Sequence, residues 1–228
     1  MENFRFYLPT TIHFGKGQLA NLADSIKQFG GSKVLLSYGG GSIKKNGIYD
    51  AVLNELKKGN IEYVDCDGIK PNPPVEDVNR GIQLYRENNL NFILAVGGGS
   101  TIDASKAMAA GVCYDGDVMD LMVGGKGEIK EAAPLASVLT MAGTGSELDM
   151  GGVITAGENH KKYTIMHPLL YPKFSILDPT YTFTVPEKHS MAGCFDALDH
   201  LIECYFVPGS ESTDVQNIII LPKNWAHD

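Results

Sequence analysis

Short apolar segments alternate with amphipathic ones along most of the sequence, and this alternation constrains the fold more than any other feature. The segments that we predict to be strands are TTIHFG, KVLLSY, IEYVDCDG, NFILAV and LASVLTM. The segments that we predict to be helices are QLANLADSIKQFG, NGIYDAVLNELKKGN, VEDVNRGIQLYRENN and TIDASKAMAAGV. Continuous apolar strands joined by helices indicate an α/β fold, with a mainly parallel sheet covered on both faces. Right-handed crossovers bring the carboxyl ends of such strands to one edge, where ligands bind.

The pattern changes after LASVLTM. The segments GGVITA, KKYTIMH and KFSILD have the composition of short strands without long helices between them, which fits a β-ribbon excursion. A long helix then begins near Glu187, directly after Pro186, a residue typical of helix starts. We therefore predict a domain boundary near Phe183, with an α/β domain over residues 1–183 and the first part of a helical domain over residues 184–228.

Composition excludes some classes of partner. The 228 residues carry a net charge of −8, and no run of Lys or Arg is longer than two, so we expect neither nucleic acid nor an anionic membrane as a partner. The four cysteines show no C-x-x-C spacing, which favours reduced thiols. The N-terminus lacks the apolar core of a signal peptide, and no apolar run approaches the ~20 residues of a membrane span. These features predict a cytoplasmic protein.

The segment AVGGGSTIDASKA places Gly97, Gly98 and Gly99 directly after a predicted buried strand. Glycines allow a ligand to approach the backbone closely and allow positive φ, and the N-terminus of the next helix favours an anion such as a pyrophosphate. Asp103 and Lys106 lie on the following turn, where they either buttress the loop or meet the ligand. A tight turn without a ligand is the alternative interpretation of this segment alone.

A second copy, SYGGGSIKKNG, follows another predicted parallel strand. Two such loops at one sheet edge favour a dinucleotide site, although neither has the G-x-G-x-x-G pattern. The strand lacks the terminal acid that would bind a ribose 2′-hydroxyl, and Lys44 and Lys45 lie nearby, so we expect NADP(H) rather than NAD(H). In the alternative interpretation, the two lysines are a solvated helix face. A third loop, LTMAGTGSELDMGG, offers hydroxyl donors from Thr140, Thr144 and Ser146 or, alternatively, is a capped helix start.

Asp196 and His200 lie four residues apart in the predicted long helix, a spacing that puts both side chains on one face. The same spacing places two ligands in helix-borne zinc sites, so we predict a divalent metal. Such a pair is often a surface ion pair instead. The small and apolar surroundings, AGCFDALDHLIECY, are unusual for a surface helix and favour the metal.

In this order, the segments YGGGSIKKNGIYD, AVGGGSTIDASKA, TGSE and AGCFDALDHLIECYF resemble the iron-containing (group III) alcohol dehydrogenases, especially their NADPH-dependent butanol dehydrogenases and aldehyde reductases. The resemblance covers residues 1 to about 217. It implies the dehydroquinate synthase-like architecture, in which a dinucleotide-binding domain precedes an all-helical domain that carries most of the metal site. It implies Fe²⁺ or Zn²⁺ as the metal, hydride transfer between a primary alcohol and an aldehyde, and a homo-oligomer.

The resemblance also implies roles for individual residues. Those expected to bind NADP(H) are Gly39, Gly40 and Ser42 at the adenosine phosphate end, Gly97, Gly98, Gly99 and Ser100 at the pyrophosphate with Asp103 supporting the loop, and Thr140, Thr144, Lys162 and Tyr181 at the nicotinamide half. Asp196 and His200 correspond to the first two metal ligands, and two histidines of the helical domain complete the set in this family. The catalytic residues are not implied.

The sequence departs from the family pattern at TDVQNIIILPKNWAHD, where Pro222 would break an expected long helix. We expect a truncation, a frameshift or an internal deletion, with His227 as a third ligand in principle only. Asp149 is a second departure, since relatives commonly have asparagine there.

Two other functions fit the sequence. A nucleotide-binding module without catalysis is one, because only two ligands are present. A zinc enzyme similar to dehydroquinate synthase or glycerol dehydrogenase shares GGGS but fits FDALDH less well.

Overall fold

The computed structural model describes residues 7–157 and 159–206, and the side chains up to residue 203. Its strands are β1 Thr11–Phe14, β2 Lys33–Tyr38, β3 Glu62–Cys66, β4 Phe92–Gly97, β5 Leu135–Leu139, β6 Gly151–Ala156, β7 Lys161–Met166 and β8 Phe174–Leu177. Six of them form a parallel sheet in the order β1-β8-β5-β4-β2-β3, and β6 and β7 form a separate antiparallel ribbon. The predicted α/β fold with a parallel sheet is confirmed, and so is the ribbon.

The helices are α1 Leu22–Gln28, α2 Ser42–Lys45, α3 Ile48–Lys58, α4 Val75–Glu87, α5 Gly99–Gly111 and α6 Glu187–Phe206. Both faces of the sheet are buried, as the continuous apolar strands predicted. On one face Leu35 and Ile93 contribute to the core that α4 and α5 cover with Ile82 and Met108. On the other face, Leu36 packs in the core that α1 and α3 cover.

Strand order creates a crevice at the carboxyl edge. After β2 the chain passes through α3 to β3 on one side, whereas β4 pairs with the opposite side of β2. Connections therefore leave β2 and β4 in opposite directions, which separates the loops that follow them. In doubly wound sheets this switch point is where ligands bind. Both GGGS loops begin there, at Gly39 and Gly97.

Three predicted elements differ from those observed. The first helix is divided into a 3₁₀ turn, Gln18–Asn21, and α1. The second begins only at Ile48, because Gly47 lies before it in the left-handed region with φ 79°, and the shorter α2 precedes that break. KFSILD forms β8, which pairs with β1 and β5 in the main sheet instead of extending the ribbon.

The described chain divides into two units, one formed by residues 9–184 and another that contains α6. Helix α6 begins at Glu187, as predicted. The domain boundary predicted near Phe183 stays a prediction, and Pro222 and His227 lie outside the described residues. None of the helices of residues 7–157 and 159–206 has the length and apolar character needed to cross a membrane.

Helix α6 carries an exposed apolar stripe. Its members recur at helical spacing and are each at least 42% exposed: Met191, Phe195, Leu198 and Ile202. An apolar face of this kind favours association with another apolar surface.

We expect the 228-residue chain to self-associate through this stripe. Phe195→Asp should lower the average mass measured by sedimentation velocity, because the added charge opposes burial of the face. Ser190→Asp on the same helix adds the same charge outside the stripe and should leave the mass unchanged. A monodisperse parent monomer would contradict the prediction.

Candidate functional site

Three loops meet at the carboxyl edge because β2, β4 and β5 are neighbours in the sheet. The N–H of Thr140 donates to the carbonyl of Gly97 over 3.0 Å, which joins the loop after β5 to the loop after β4. On the other side, a Cβ at Gly39 would lie 4.0 Å from Oγ1 of Thr101, which is on α5. The structure therefore brings together the glycine loops that the sequence predicted and places Thr140 beside them.

Close packing explains the glycines of the second loop. A Cβ at Gly97 would lie 2.5 Å from Oγ1 of Thr101, and one at Gly99 would lie 2.5 Å from Oγ1 of Thr144. Real side chains do not approach so closely, so neither position admits a larger residue without displacing a threonine. The positive φ that glycines allow does not occur in this loop: Gly98 has φ −95°, and positive φ occurs instead at Gly41 in the first loop, at 96°.

Helix α5 begins within the second loop, two residues earlier than predicted. The carbonyl of Gly98 accepts the N–H groups of Thr101 and Ile102, so the preceding N–H groups, at the start of the helix, face outward from its first turn. The hydroxyl of Ser100 accepts the N–H of Asn72 over 3.3 Å. This contact fixes the loop after β3 against the helix start, and sequence analysis did not predict it.

The first loop is more open. No atom lies within 4 Å of a Cβ built at Gly40, whereas one at Gly39 would be 3.4 Å from the carbonyl oxygen of Ile69. The carbonyl of Gly39 accepts the N–H groups of Gly41 and Gly68. Space above Gly40 combined with an anchored Gly39 permits a ligand to approach this backbone. Ser42 begins α2 and is exposed.

Lys106 is fully buried and has the most connected side chain of the site. Its ammonium donates to Oδ1 of Asp149 at 2.6 Å, to the carbonyl of Gly151 at 2.6 Å and to Oγ of Ser146 at 3.0 Å. Asp103 accepts the Ser146 hydroxyl at 2.6 Å and the N–H of Val153 at 3.0 Å. Of the two roles considered for Asp103 and Lys106, the observed contacts are those of buttressing: they tie α5 to the third loop and to the ribbon.

Burial perturbs the charges of this network. It lowers the pKa of Lys106, although the hydrogen bond to Asp149 and the carboxylates of Asp149, Asp103 and Glu147 oppose the shift. It raises the pKa of Asp103 against the effects of Ser146, Val153 and the Lys106 charge. It also raises the pKa of Glu147. The charged form of Lys106 therefore depends on the carboxylates around it.

The third loop is not a helix start. Residues 141–150 form turns, in which the hydroxyl of Thr144 accepts the N–H of Ser146 over 3.2 Å. The alternative of a capped helix at TGSE is therefore wrong. Thr144 instead packs on Gly99, so that the loop covers the beginning of α5.

Tyr181 and Lys162 lie at the margins of the candidate site, outside the glycine loops. Tyr181 is half-buried and lines a cleft of about 210 Å³ together with Asn46 and Gly47 of the α2–α3 junction. Burial raises its pKa. Lys162 is exposed on β7, where it pairs with Thr155 of the ribbon, and no hydrogen bond or ion pair in the described part of the chain joins its side chain to the glycine loops.

Asp178 fixes the turn that carries Tyr181. Its carboxylate accepts the N–H and hydroxyl of Thr180 at 2.9 and 2.7 Å and the N–H of Gly17 at 2.7 Å. Burial alone would raise the pKa of Asp178, but these donors and the nearby Lys16 outweigh it, so the pKa lies below its usual range.

A tyrosine pair lies beside the first glycine loop. The rings of Tyr38 and Tyr49 are 5.3 Å apart, and the ammonium of Lys44 lies 5.0 and 4.8 Å from their centroids. The Tyr49 hydroxyl donates to the Asp65 carboxylate, lying 3.0 and 2.9 Å from its two oxygens. Burial, with the charges of Asp65 and Asp67, raises the pKa of Tyr38 to about 12. Sequence analysis missed this group, which we call the Tyr38–Tyr49 cluster.

Asp196 and His200 share one face of α6, as their spacing predicted. Nε2 of His200 lies 3.9 Å from Oδ1 of Asp196, and both side chains are about half exposed. This places one carboxylate and one imidazole together, a pair of donors suited to Fe²⁺ or Zn²⁺. Within residues 7–157 and 159–203, no group of three or more metal-ligating side chains occurs.

Comparison with known proteins identifies the family. The family model for iron-containing alcohol dehydrogenase matches residues 9–179, which is most of the chain. This chain belongs to the iron-containing alcohol dehydrogenase family. The glycine loops at the β2–β4 switch point are thus the loops of an iron-containing alcohol dehydrogenase domain, as the resemblance implied.

Named relatives agree with this membership. NADH-dependent butanol dehydrogenase A of Clostridium acetobutylicum is 48% identical over 95% of this chain and 55% of the relative. NADPH-dependent aldehyde reductase YqhD of Escherichia coli is 41% identical over 90% of this chain and 52% of the relative. The crystal structure of NADH-dependent butanol dehydrogenase A from Thermotoga maritima superposes with a TM-score of 0.86 at 45% identity, covering 90% of this chain and 52% of that one. The chain therefore spans about half the length of the curated relatives it matches.

The Lys106 network generates a stability prediction. Asp149→Ala should lower the free energy of unfolding by about 2 kcal/mol, because it removes a hydrogen bond to a buried charge. Asp149→Asn should lower it less, since an amide oxygen still accepts from Lys106. Urea denaturation measures both. Glu62→Gln, which neutralises a carboxylate in the exposed Lys33 pair, should change stability by at most about 1 kcal/mol; equal effects at Glu62 and Asp149 would refute the prediction.

Asp178 predicts a pH dependence. Because its folded-state pKa is lower than the 3.8 of an ordinary Asp, its stabilisation is present above that value and lost as the pH falls through the folded pKa. Asp178→Asn should therefore be less stable than the parent at pH 6, and the difference should shrink as the solution is acidified, as followed by thermal unfolding. Asp24→Asn at an exposed position is the control. A difference that does not depend on pH would contradict the prediction.

Proposed function

We propose that residues 9–184 bind the dinucleotide of an NADP(H)-dependent alcohol dehydrogenase or aldehyde reductase. One observation supports this most: two glycine loops end adjacent parallel strands at a switch point, and one of them opens a helix whose N-terminus attracts anions. Gly97, Gly98 and Gly99 with Ser100 would hold the pyrophosphate, and Gly39, Gly40 and Ser42 the adenosine phosphate end. Asp103 supports the loop. The residues for the nicotinamide half are Thr140, Thr144, Lys162 and Tyr181.

The geometry of the two glycine loops fits a dinucleotide. The side chains of Thr101 and Thr144 occupy the positions that a Cβ at Gly97 and Gly99 would need. The two glycines therefore allow the loop backbone to pack directly on these threonines. Above Gly40 the backbone is open. A negatively charged pyrophosphate is stabilised at the start of α5, where N–H groups and the helix dipole meet.

The preference for NADP(H) over NAD(H) is the finer part of the proposal. Relatives named for NADH and relatives named for NADPH both match this chain, so their names do not indicate which dinucleotide this chain prefers. The end of β2 lacks an acid, and Lys44 and Lys45 follow in α2. These lysines would attract the 2′-phosphate of NADP(H), whereas a carboxylate at the end of β2 would repel it.

Asp196 and His200 would supply two donors for Fe²⁺ or Zn²⁺. Their side chains are close, accessible and on one helix face, which fits shared coordination. When bound, such a metal supplies Lewis-acid polarisation of an alcohol or aldehyde oxygen. The protein itself would position the nicotinamide carbon for hydride exchange with the substrate carbon.

The proposed reaction is the interconversion of a primary alcohol and an aldehyde. The names butanol dehydrogenase and aldehyde reductase among the relatives support it. We also propose a homo-oligomer in the cytoplasm, without nucleic acid or membrane as a partner. A second candidate is a nucleotide-binding module without catalysis, because the described residues hold only two grouped metal donors.

Gly40→Ala tests whether a ligand approaches the first loop. The added methyl meets no protein atom within 4 Å, so stability should be unchanged. NADPH binding, followed by the change in its fluorescence, should weaken at least about fivefold, since overpacking against a ligand costs about 1–3 kcal/mol. Thermal unfolding of Gly40→Ala and of the parent, compared without ligand, controls for an effect of the methyl on folding. Unchanged NADPH affinity in Gly40→Ala would exclude close approach at this loop.

Turnover separates the two candidate functions. The chain is supplied with NADPH, butyraldehyde and either Fe²⁺ or Zn²⁺, and NADPH consumption is followed by absorbance. Aldehyde-dependent consumption that Asp196→Asn abolishes supports the dehydrogenase. NADPH binding without metal retention or turnover supports the nucleotide-binding module for this chain, and absence of NADPH binding contradicts both.

A further inference from the structure

Lys106 and Asp149 form an ion pair whose two ends differ in exposure. Nζ of Lys106 lies 2.6 Å from Oδ1 of Asp149, and the lysine side chain is fully buried, whereas the aspartate side chain is 52% exposed. The same Oδ1 accepts the N–H of Gly151 over 2.9 Å. Among the described residues, no hydrogen bond or ion pair engages Oδ2. The positive end of the pair therefore lies in the protein interior, and one carboxylate oxygen remains accessible to a ligand.

The two other carboxylates of this network are not accessible in the same way. Glu147 is buried, with only 8% of its surface exposed. Both oxygens of Asp103 are engaged, one by the hydroxyl of Ser146 at 2.6 Å and the other by the N–H of Val153 at 3.0 Å. Asp149 is therefore the carboxylate of the network that is available to a ligand.

Asp149 lies near the proposed nicotinamide position. It belongs to the loop after β5, in which Thr144 packs on Gly99 at the start of α5. Lys106 is two helical turns after Gly99, a rise of about 10 Å, and helical side chains lean toward the N-terminus. The ammonium therefore holds the Asp149 carboxylate at roughly 10 Å from the proposed pyrophosphate site. One ribose separates the nicotinamide ring from the pyrophosphate, so the ring and this carboxylate lie at similar distances from the loop.

The oxidised and reduced forms of the dinucleotide differ by one charge at this ring. The ring carries a positive charge in NADP⁺ and none in NADPH, whereas the phosphates are the same in both. A carboxylate near the ring attracts the oxidised form and has little effect on the reduced one, and partial exclusion of water strengthens the attraction. An asparagine, the residue that relatives commonly have here, would accept from Lys106 without carrying a charge.

We infer that Asp149 shifts the binding preference of this chain toward NADP⁺ and away from NADPH. The inference rests on the proposed function and adds a residue that distinguishes the two oxidation states of the dinucleotide. On the protein, the reaction aldehyde + NADPH + H⁺ → alcohol + NADP⁺ ends in the form that Asp149 stabilises. Because a difference in affinity for the two sides of an equilibrium shifts that equilibrium, the carboxylate favours aldehyde reduction.

The test measures the dissociation constants of both forms with the 228-residue chain, NADPH by fluorescence titration and NADP⁺ by competition against NADPH. Asp149→Asn keeps an oxygen that accepts from Lys106 but removes the charge. It should raise the ratio of the NADP⁺ constant to the NADPH constant about fivefold, as expected for loss of a unit charge at about 6 Å in a partly aqueous site. Asp149→Glu retains the charge and should keep the ratio within about twofold of the parent.

Two further variants separate the effect of charge from that of structure. Ser146→Ala removes an acceptor of Lys106 without changing any charge, so it should leave the ratio within about twofold even where it weakens the binding of both forms. Asp24→Asn removes a charge at an exposed position on α1 and should leave the ratio unchanged. Thermal unfolding verifies that every variant is folded.

The outcomes separate this inference from the proposed function. A fivefold change of the ratio in Asp149→Asn that is absent from Ser146→Ala and Asp24→Asn supports the inference. Equal weakening of both forms in Asp149→Asn, or no change of either while the parent binds both, overturns the inference and leaves the proposed function intact. A parent chain that binds neither form overturns the inference and the proposed function together.

Discussion

Parallel pairing of β2 with both β3 and β4 is the constraint on which the rest of the structure depends. The chain leaves β2 and β4 in opposite directions. The loops that follow these two strands therefore separate at the carboxyl edge, and the backbone of both loops stays accessible. The loop after β4 has little space, because a Cβ at Gly97 or Gly99 would collide with a threonine side chain. The candidate dinucleotide site is thus a consequence of strand order, and the glycines adapt the backbone to it.

Lys106 then holds the parts of the edge together. A fully buried ammonium costs free energy unless it is fully hydrogen-bonded, and here three acceptors from the third loop and the ribbon satisfy it. Asp149, which the sequence marked only as an unusual residue for the family, is the charged acceptor among them. Its carboxylate is half exposed, so the pair combines a desolvated cation with an anion that water still stabilises. The loop beside the proposed nicotinamide position is consequently fixed by electrostatics and not only by packing.

Local patterns predicted the layers of the fold well. Apolar runs such as KVLLSY and NFILAV became central strands, because only a strand buried on both faces needs such continuous hydrophobicity. They misplaced the start of the second helix, which begins at Ile48 instead of Asn46 because Gly47 directly before it is left-handed. They also failed for KFSILD, since membership of a ribbon or of the main sheet depends on partners far along the chain.

The sequence by itself determined a parallel α/β domain with two glycine loops at one edge, together with a carboxylate and an imidazole on one helix face. These features follow from periodicity and from steric rules that act over a few residues. Only the tertiary structure decided which polar groups meet. Lys106 reaches Asp149 across 43 residues of chain, and Tyr49 reaches Asp65 across 16. Contacts of this kind depend on how helices and strands pack, so the sequence pattern alone does not predict them.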